Sequence, residues 1–130
     1  MSELRETVDA PGAPAAVGPY SHAVKAAGLL FCSGQIPLDP ASGELVGGSA
    51  GEQARQCLEN LTAVVEAAGA SLADAVRCTI YLTDMGDFAE VNDVYAEYVG
   101  ATLPARAAVG VAALPKGAHV EIDAIVALRQ

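Results

Sequence analysis

The chain has 130 residues, 52% of them hydrophobic, and carries 16 acidic against 7 basic side chains for a formal charge of −9. That length fits a single domain, residues 1–130, with enough apolar material, much of it Ala and Val, for a close-packed core built from small pieces. Seven scattered basic residues make no basic patch, which disfavours nucleic acid and anionic membrane surfaces as partners.

No apolar stretch reaches the roughly 18–20 residues of a membrane span, and the run Met1 to Thr7 lacks the apolar core of a secretory signal. Cys32, Cys57 and Cys78 are odd in number and widely spaced within predicted elements. They read as small buried hydrophobes rather than a disulfide framework. The expectation is a soluble, reduced, cytoplasmic protein.

In chain order, residues 3–9 can form an edge strand, and Ala10 to Pro19 is a Pro/Gly/Ala loop. Ser21–Ala26 and Leu29–Gln35 read as a hairpin around Ala27-Gly28, followed by a turn-rich loop from Ile36 to Gly48. Ser49 with Glu52 is a capping-box signature. Ala54, Cys57, Leu58, Leu61, Val64, Val65 and Ala68 then recur at helical spacing, up to Gly69 as the stop. Over Ala75–Leu82, Val76, Cys78, Ile80 and Leu82 alternate with Arg77, Thr79 and Tyr81, the period of a strand. A second helix is predicted over Asp87–Val99, with Phe88, Val91, Tyr95, Tyr98 and Val99 inward and Gly100 at its end. Ala105–Val111 and His119–Leu128 are the last strands.

The order ββαβαββ makes an α+β fold, a mixed sheet whose two helices cover one face. The last strand is apolar on both sides: Val120, Ile122, Ala124 and Val126 line one face, while Ile125 and Ala127 line the other. With no further helix available, a second copy of the chain is the natural cover.

Among chemistry-bearing residues, Arg106 stands out, because it sits in the strand-like run Thr102 to Val111 among small and β-branched residues. Burying a guanidinium without a partner costs several kcal/mol, so a carboxylate of the protein or of a ligand is expected to meet it. Glu121, at the start of the last strand, fits either as its ion-pair partner or as a general acid/base beside it. Tyr20 brings a hydroxyl on a rigid ring, or simply anchors its loop. Ser33-Gly34-Gln35 closes a strand, with Gly34 permitting close approach to the backbone. Asn92, four residues after Phe88, shares the helix's apolar face and needs partners there. His22 and His119 have no Cys or His at metal-ligand spacing, no phosphate loop is present, and Ser33 lacks a nucleophile elbow.

The segments A-P-A-A-V-G-P-Y-S-H-A-V (13–24), C-S-G-Q-I-P-L-D-P-A-S-G-E-L-V-G-G (32–48), D-F-A-E-V-N-D-V-Y (87–95), P-A-R (104–106) and L-P-K-G-A-H-V-E-I-D-A-I (114–125) resemble the RidA/YjgF family of reactive enamine/imine deaminases. The resemblance implies a chorismate-mutase-like fold in a homotrimer, its sheets around a central barrel and its sites in the clefts between subunits. It implies hydrolysis of 2-aminoacrylate and 2-iminobutyrate to 2-ketoacids and ammonia, with no metal or organic cofactor. By position, Arg106 would grip the substrate carboxylate, and Glu121 with the Ala108 carbonyl would hold and activate water. Tyr20, Ser33 and Gly34 would line the pocket. Ala107 and Ala108 stand where the family often carries Ser or Thr and then Cys, which bears on substrate preference. Some relatives are associated with ribonuclease activity or inhibition of translation, and a non-catalytic carboxylate binder of the same fold is a third reading.

Overall fold

The computed structural model describes residues 4–129. Met1 to Glu3, which begin the N-terminal run and the predicted edge strand, lie outside them. The described residues form β1 (Glu6–Val8), β2 (Ala23–Ala26), β3 (Leu29–Gln35), α1 (Ala50–Ala67), β4 (Ala75–Leu82), α2 (Phe88–Ala96), β5 (Ala105–Gly110) and β6 (Val120–Ala127). This is the predicted α+β order preceded by the edge strand.

The strands make one sheet in the order β1-β2-β3-β6-β4-β5. Every neighbouring pair is antiparallel except β4 and β5, which run parallel. A parallel pair needs a crossover, and α2 supplies it. Ala27 (φ 54) and Gly28 (φ 76) both occupy the left-handed region, which gives the β2–β3 hairpin a two-residue turn twisted to suit its strands.

α1 starts and stops where the sequence signals it. The Ser49 side chain accepts from Glu52 N–H, and the Glu52 side chain returns to the Ser49 backbone. At the other end Gly69 (φ 78) donates to Glu66 O, and Ala70 N–H reaches back to Val65 O. These bonds satisfy carbonyls the helix leaves open. α1 packs on β3 and β6, and α2 packs against α1. Leu30, Leu58, Leu61, Ile80 and Ile122 are fully buried between these layers, each contributing about 1.5–3 kcal/mol by leaving water. Cys32, Cys57 and Cys78 are buried and free. Burial pushes the Cys32 thiol up to about 12, with Cys78 and Asp123 adding to the shift.

Two predicted boundaries shift by two or three residues, and one residue predicted to face inward does not. β2 begins at Ala23 rather than Ser21, because the Ser21 and His22 carbonyls accept from Ser33 Oγ and Ser33 N. α2 ends at Ala96 rather than Val99, because Glu97 and Tyr98 donate three residues back, to Val94 O and Tyr95 O, tightening the last turn towards Gly100 (φ 75). Val76 does not face the core. The β4–β6 register slips between Ala75 and Arg77, so Val76 is an extra residue on a bulge, 44% exposed, and Ala75 takes the buried place.

On β6, Val120, Ile122, Ala124 and Val126 are buried under the helices, while Glu121, Asp123, Ile125 and Ala127 are half-buried on the opposite face. Phe31 is also 41% exposed. Both helices therefore serve one side of the sheet, and the other side is left partly apolar, as the two-sided pattern of the last strand predicts.

Candidate functional site

The β3–β6 ladder is irregular where the sequence places its candidate residues. Cys32 pairs with Ala124, but the next register position joins Gln35 to Ile122. Three steps on β3 match two on β6, so Ser33 and Gly34 lie on a bulge that bends the strand. Ser33 Oγ donates to Ser21 O at 2.6 Å. Tyr20, from the preceding loop, turns its hydroxyl back to accept from Val17 N–H at 3.2 Å. These residues and Glu121 line one cavity of about 340 Å³, whose apolar walls include Pro14, Val17, Ile36 and Leu38. That volume suits a small organic molecule.

Glu121 projects from β6 on the side away from the helices, beside Tyr81 of β4 and two residues before Asp123. Asp123 is engaged, accepting from the Tyr81 hydroxyl at 3.0 Å. Burial pushes the Glu121 carboxyl above the ordinary glutamate value, and the neighbouring Asp123 charge adds to the shift. A carboxyl so placed keeps its proton more readily and is suited to giving and taking one.

Gly34 has a more definite role than general backbone access. A Cβ built there would collide with Glu121 Oε2 and stand 2.9 Å from Cδ. The glycine makes room for the catalytic candidate's own carboxylate. Gly34→Ala should leave the melting temperature near that of wild type, because the flexible end of Glu121 can swing aside, while any activity that uses the carboxylate falls sharply. Thermal melting and turnover measured together check this. Unchanged turnover would show that the position of the carboxylate does not matter.

Arg106 corrects the sequence expectation. It is exposed, because β5 is an edge strand with β4 as its one neighbour. Its Nη1 donates to Asn92 Oδ1 at 2.6 Å. Its guanidinium lies 5.3 Å from the Phe88 ring centroid and 5.1 Å from that of Tyr95, within cation–π range. The ion pair with Glu121 is not formed within the protomer: none of the four ion pairs among the described residues includes either side chain. Arg106 stands opposite Cys78, which stands opposite Ala124, both buried on the helix side. By the two-residue period of a strand, Arg106 shares their face and Glu121 points to the other. Arg106 lines a separate cavity of about 420 Å³ with Asn92, Tyr95, Leu103 and Pro104. Ala108 follows two positions along β5, half-buried opposite Ile80.

The candidates thus fall into two groups within one protomer, Tyr20, Ser33, Gly34 and Glu121 on one cavity and Arg106 with Ala108 on the β5 edge. Sequence reasoning placed Asn92 on the helix's apolar face but not against Arg106. It also missed the bulge, for which a glycine inside a strand pattern is the available signal.

The fold and cavity are those of a small α+β protein with a pocket of small-ligand size. The chain belongs to the endoribonuclease L-PSP family, the RidA/YjgF family, whose family model matches residues 10–128. It is 52% identical over 122 residues to the RutC family protein PH0854 of Pyrococcus horikoshii, covering 94% of this chain and 97% of that one. It is 49% identical over 126 residues to a 2-iminobutanoate/2-iminopropanoate deaminase of Bos taurus, covering 96% and 92%. Among solved structures it resembles E. coli TdcF with bound serine, at 42% identity and a TM-score of 0.89, covering 96% of this chain and 99% of that one.

Proposed function

We propose that the protein is a hydrolytic deaminase of reactive enamine and imine acids, converting 2-aminoacrylate and 2-iminobutyrate to 2-ketoacids and ammonia. The observation that carries this reading is the half-buried Glu121 carboxyl, its proton affinity raised by burial, facing a small cavity with Tyr20, Ser33 and Gly34. The deaminase named among the relatives and the serine bound in TdcF support a ligand of amino-acid size. The charge of −9 argues against RNA as the substrate.

The chemistry asks little of the protein. An enamine first takes a proton on its terminal carbon and becomes the imine. Water then adds to the C=N carbon, giving a carbinolamine, and the C–N bond breaks to release ammonia and leave the ketone. Glu121, with the Ala108 carbonyl, holds the water and takes its proton, and Glu121 then returns a proton to the departing nitrogen. Arg106 binds the carboxylate by two parallel donors, and the cavity fixes the distance between them.

Arg106 and Glu121 occupy opposite faces in one protomer, which supports a site completed between subunits, and the assembly proposed is a homotrimer. Arg106 and Ala108 on the β5 edge of one chain meet the Glu121 cavity of the next. The partly apolar open face of the sheet supplies the surface for association. Sedimentation equilibrium should give a mass three times that of the chain. A monodisperse monomer at micromolar concentration would remove the shared site.

The activity is tested by generating 2-iminobutyrate in situ and measuring ketoacid release beside bulkier imines. Faster release than the spontaneous rate supports the reading, and release at the spontaneous rate refutes it.

A further inference from the structure

The loop that forms one wall of the Glu121 cavity is fastened from behind by His22. The ring is 5% exposed, and both nitrogens are engaged. Ala10 N–H donates to Nδ1 at 2.9 Å, and Nε2 lies 2.8 Å from Pro14 O. An amide N–H donates only, so Nδ1 is the acceptor and carries no proton. A carbonyl accepts only, so Nε2 carries the proton. The two contacts define one neutral tautomer. They also bracket the loop: the Ala10 and Ala13 side chains sink into the core, while Pro14, Val17 and Tyr20 line the cavity.

We propose that His22 is a positioning residue for this wall. Its neutral ring holds Ala10 and Pro14 so that Val17 and Tyr20 face the cavity, and a proton on Nδ1 breaks the Ala10 contact while Nε2 still donates to Pro14 O. Protonation sets one N–H against another at Ala10 and removes the acceptor that the amide uses. The Asp9 carboxylate, with Oδ1 3.4 Å from Nδ1, is then the acceptor at hand. Other ionisable groups on the surrounding elements are placed differently. Glu6 of β1 pairs with Lys25 of β2 at 3.8 Å, Cys32 of β3 is buried, and Tyr20 bonds within the loop. The wall's dependence on His22 holds whichever small molecule the cavity takes, so it stands apart from the deaminase reading.

The test is nuclear magnetic resonance of nitrogen-15-labelled protein taken from about pH 8 to about pH 5. At the upper end the His22 ring should show the tautomer protonated at Nε2. On acidification the Ala10 and Val17 amide signals should shift with the same midpoint as the ring. In His22→Gln, which keeps a donor and an acceptor but does not titrate, the protein should stay folded and the amide shifts should be lost. His22→Ala removes both contacts and risks unfolding, so the glutamine variant decides. A ring protonated at Nδ1 at neutral pH would overturn the proposal, as would loop signals indifferent to the ring, or a loop titration that survives in His22→Gln.

Discussion

Arg106→Lys is expected to lower kcat/KM for 2-iminobutyrate by roughly ten- to several-thousand-fold, since it loses one or two charge-assisted hydrogen bonds, each contributing about 1.5–3 kcal/mol. Lysine keeps the charge but not the planar fork, so one carboxylate oxygen goes unpaired. The geometry sharpens the expectation. Asn92 accepts from Nη1, and the guanidinium lies against the Phe88 and Tyr95 rings, while its other donors bond to no other described residue. An ammonium on a flexible stem would inherit none of that alignment. Because the side chain is exposed, the melting temperature should move little. Addition of 2-ketobutyrate should raise the melting temperature of wild type and leave that of the variant unchanged, as selective binding to the native state requires. A variant that keeps its specific activity and melts early would make Arg106 a structural residue.

Glu121→Gln is expected to reduce kcat by roughly 100- to 10,000-fold, the usual range for a general acid/base, with a much smaller change in KM. Stability should move the other way. A carboxyl whose proton affinity is raised by folding binds its proton more tightly in the folded than in the unfolded chain. Stability therefore falls as pH rises from the ordinary glutamate range through the raised value, and at neutral pH the half-buried charge is a net cost. An uncharged glutamine removes that cost. Its melting temperature at neutral pH should equal or exceed that of wild type, and the excess should shrink as the pH is lowered through that window. A lower melting temperature with unchanged kcat would identify Glu121 as a structural partner instead.

What the sequence conveys follows from which interactions are local. The ends of α1 were legible because a capping box and a glycine stop are chemistry between residues three to five apart. The buried stripe of β6 was legible because the two-residue period is intrinsic to a strand. Val76 was misread because a bulge is decided by the partner strand and leaves no period of its own. The pocket shows the same division. Glu121, Tyr20, Ser33 and Gly34 were each picked out by residue type, and they do gather on one cavity. The reason for Gly34 was hidden, because its close neighbour is a carboxylate on another strand. Arg106 was expected inside apolar company because its own strand is apolar. Strand order, which no local pattern sets, placed that strand at the edge of the sheet, within reach of Asn92.

The most direct test of a site shared between subunits is to mix the two impaired variants. Arg106→Lys and Glu121→Gln chains should be unfolded together in equal amounts, refolded, and assayed for ketoacid release from 2-iminobutyrate. In a closed ring where each site takes Arg106 from one chain and Glu121 from the next, random mixing leaves about one site in four with both native residues. Activity should therefore return to about a quarter of the level of wild type refolded in the same way, far above either variant alone. Mixed assemblies no more active than the separate variants would contradict the shared site and the mechanism built on it.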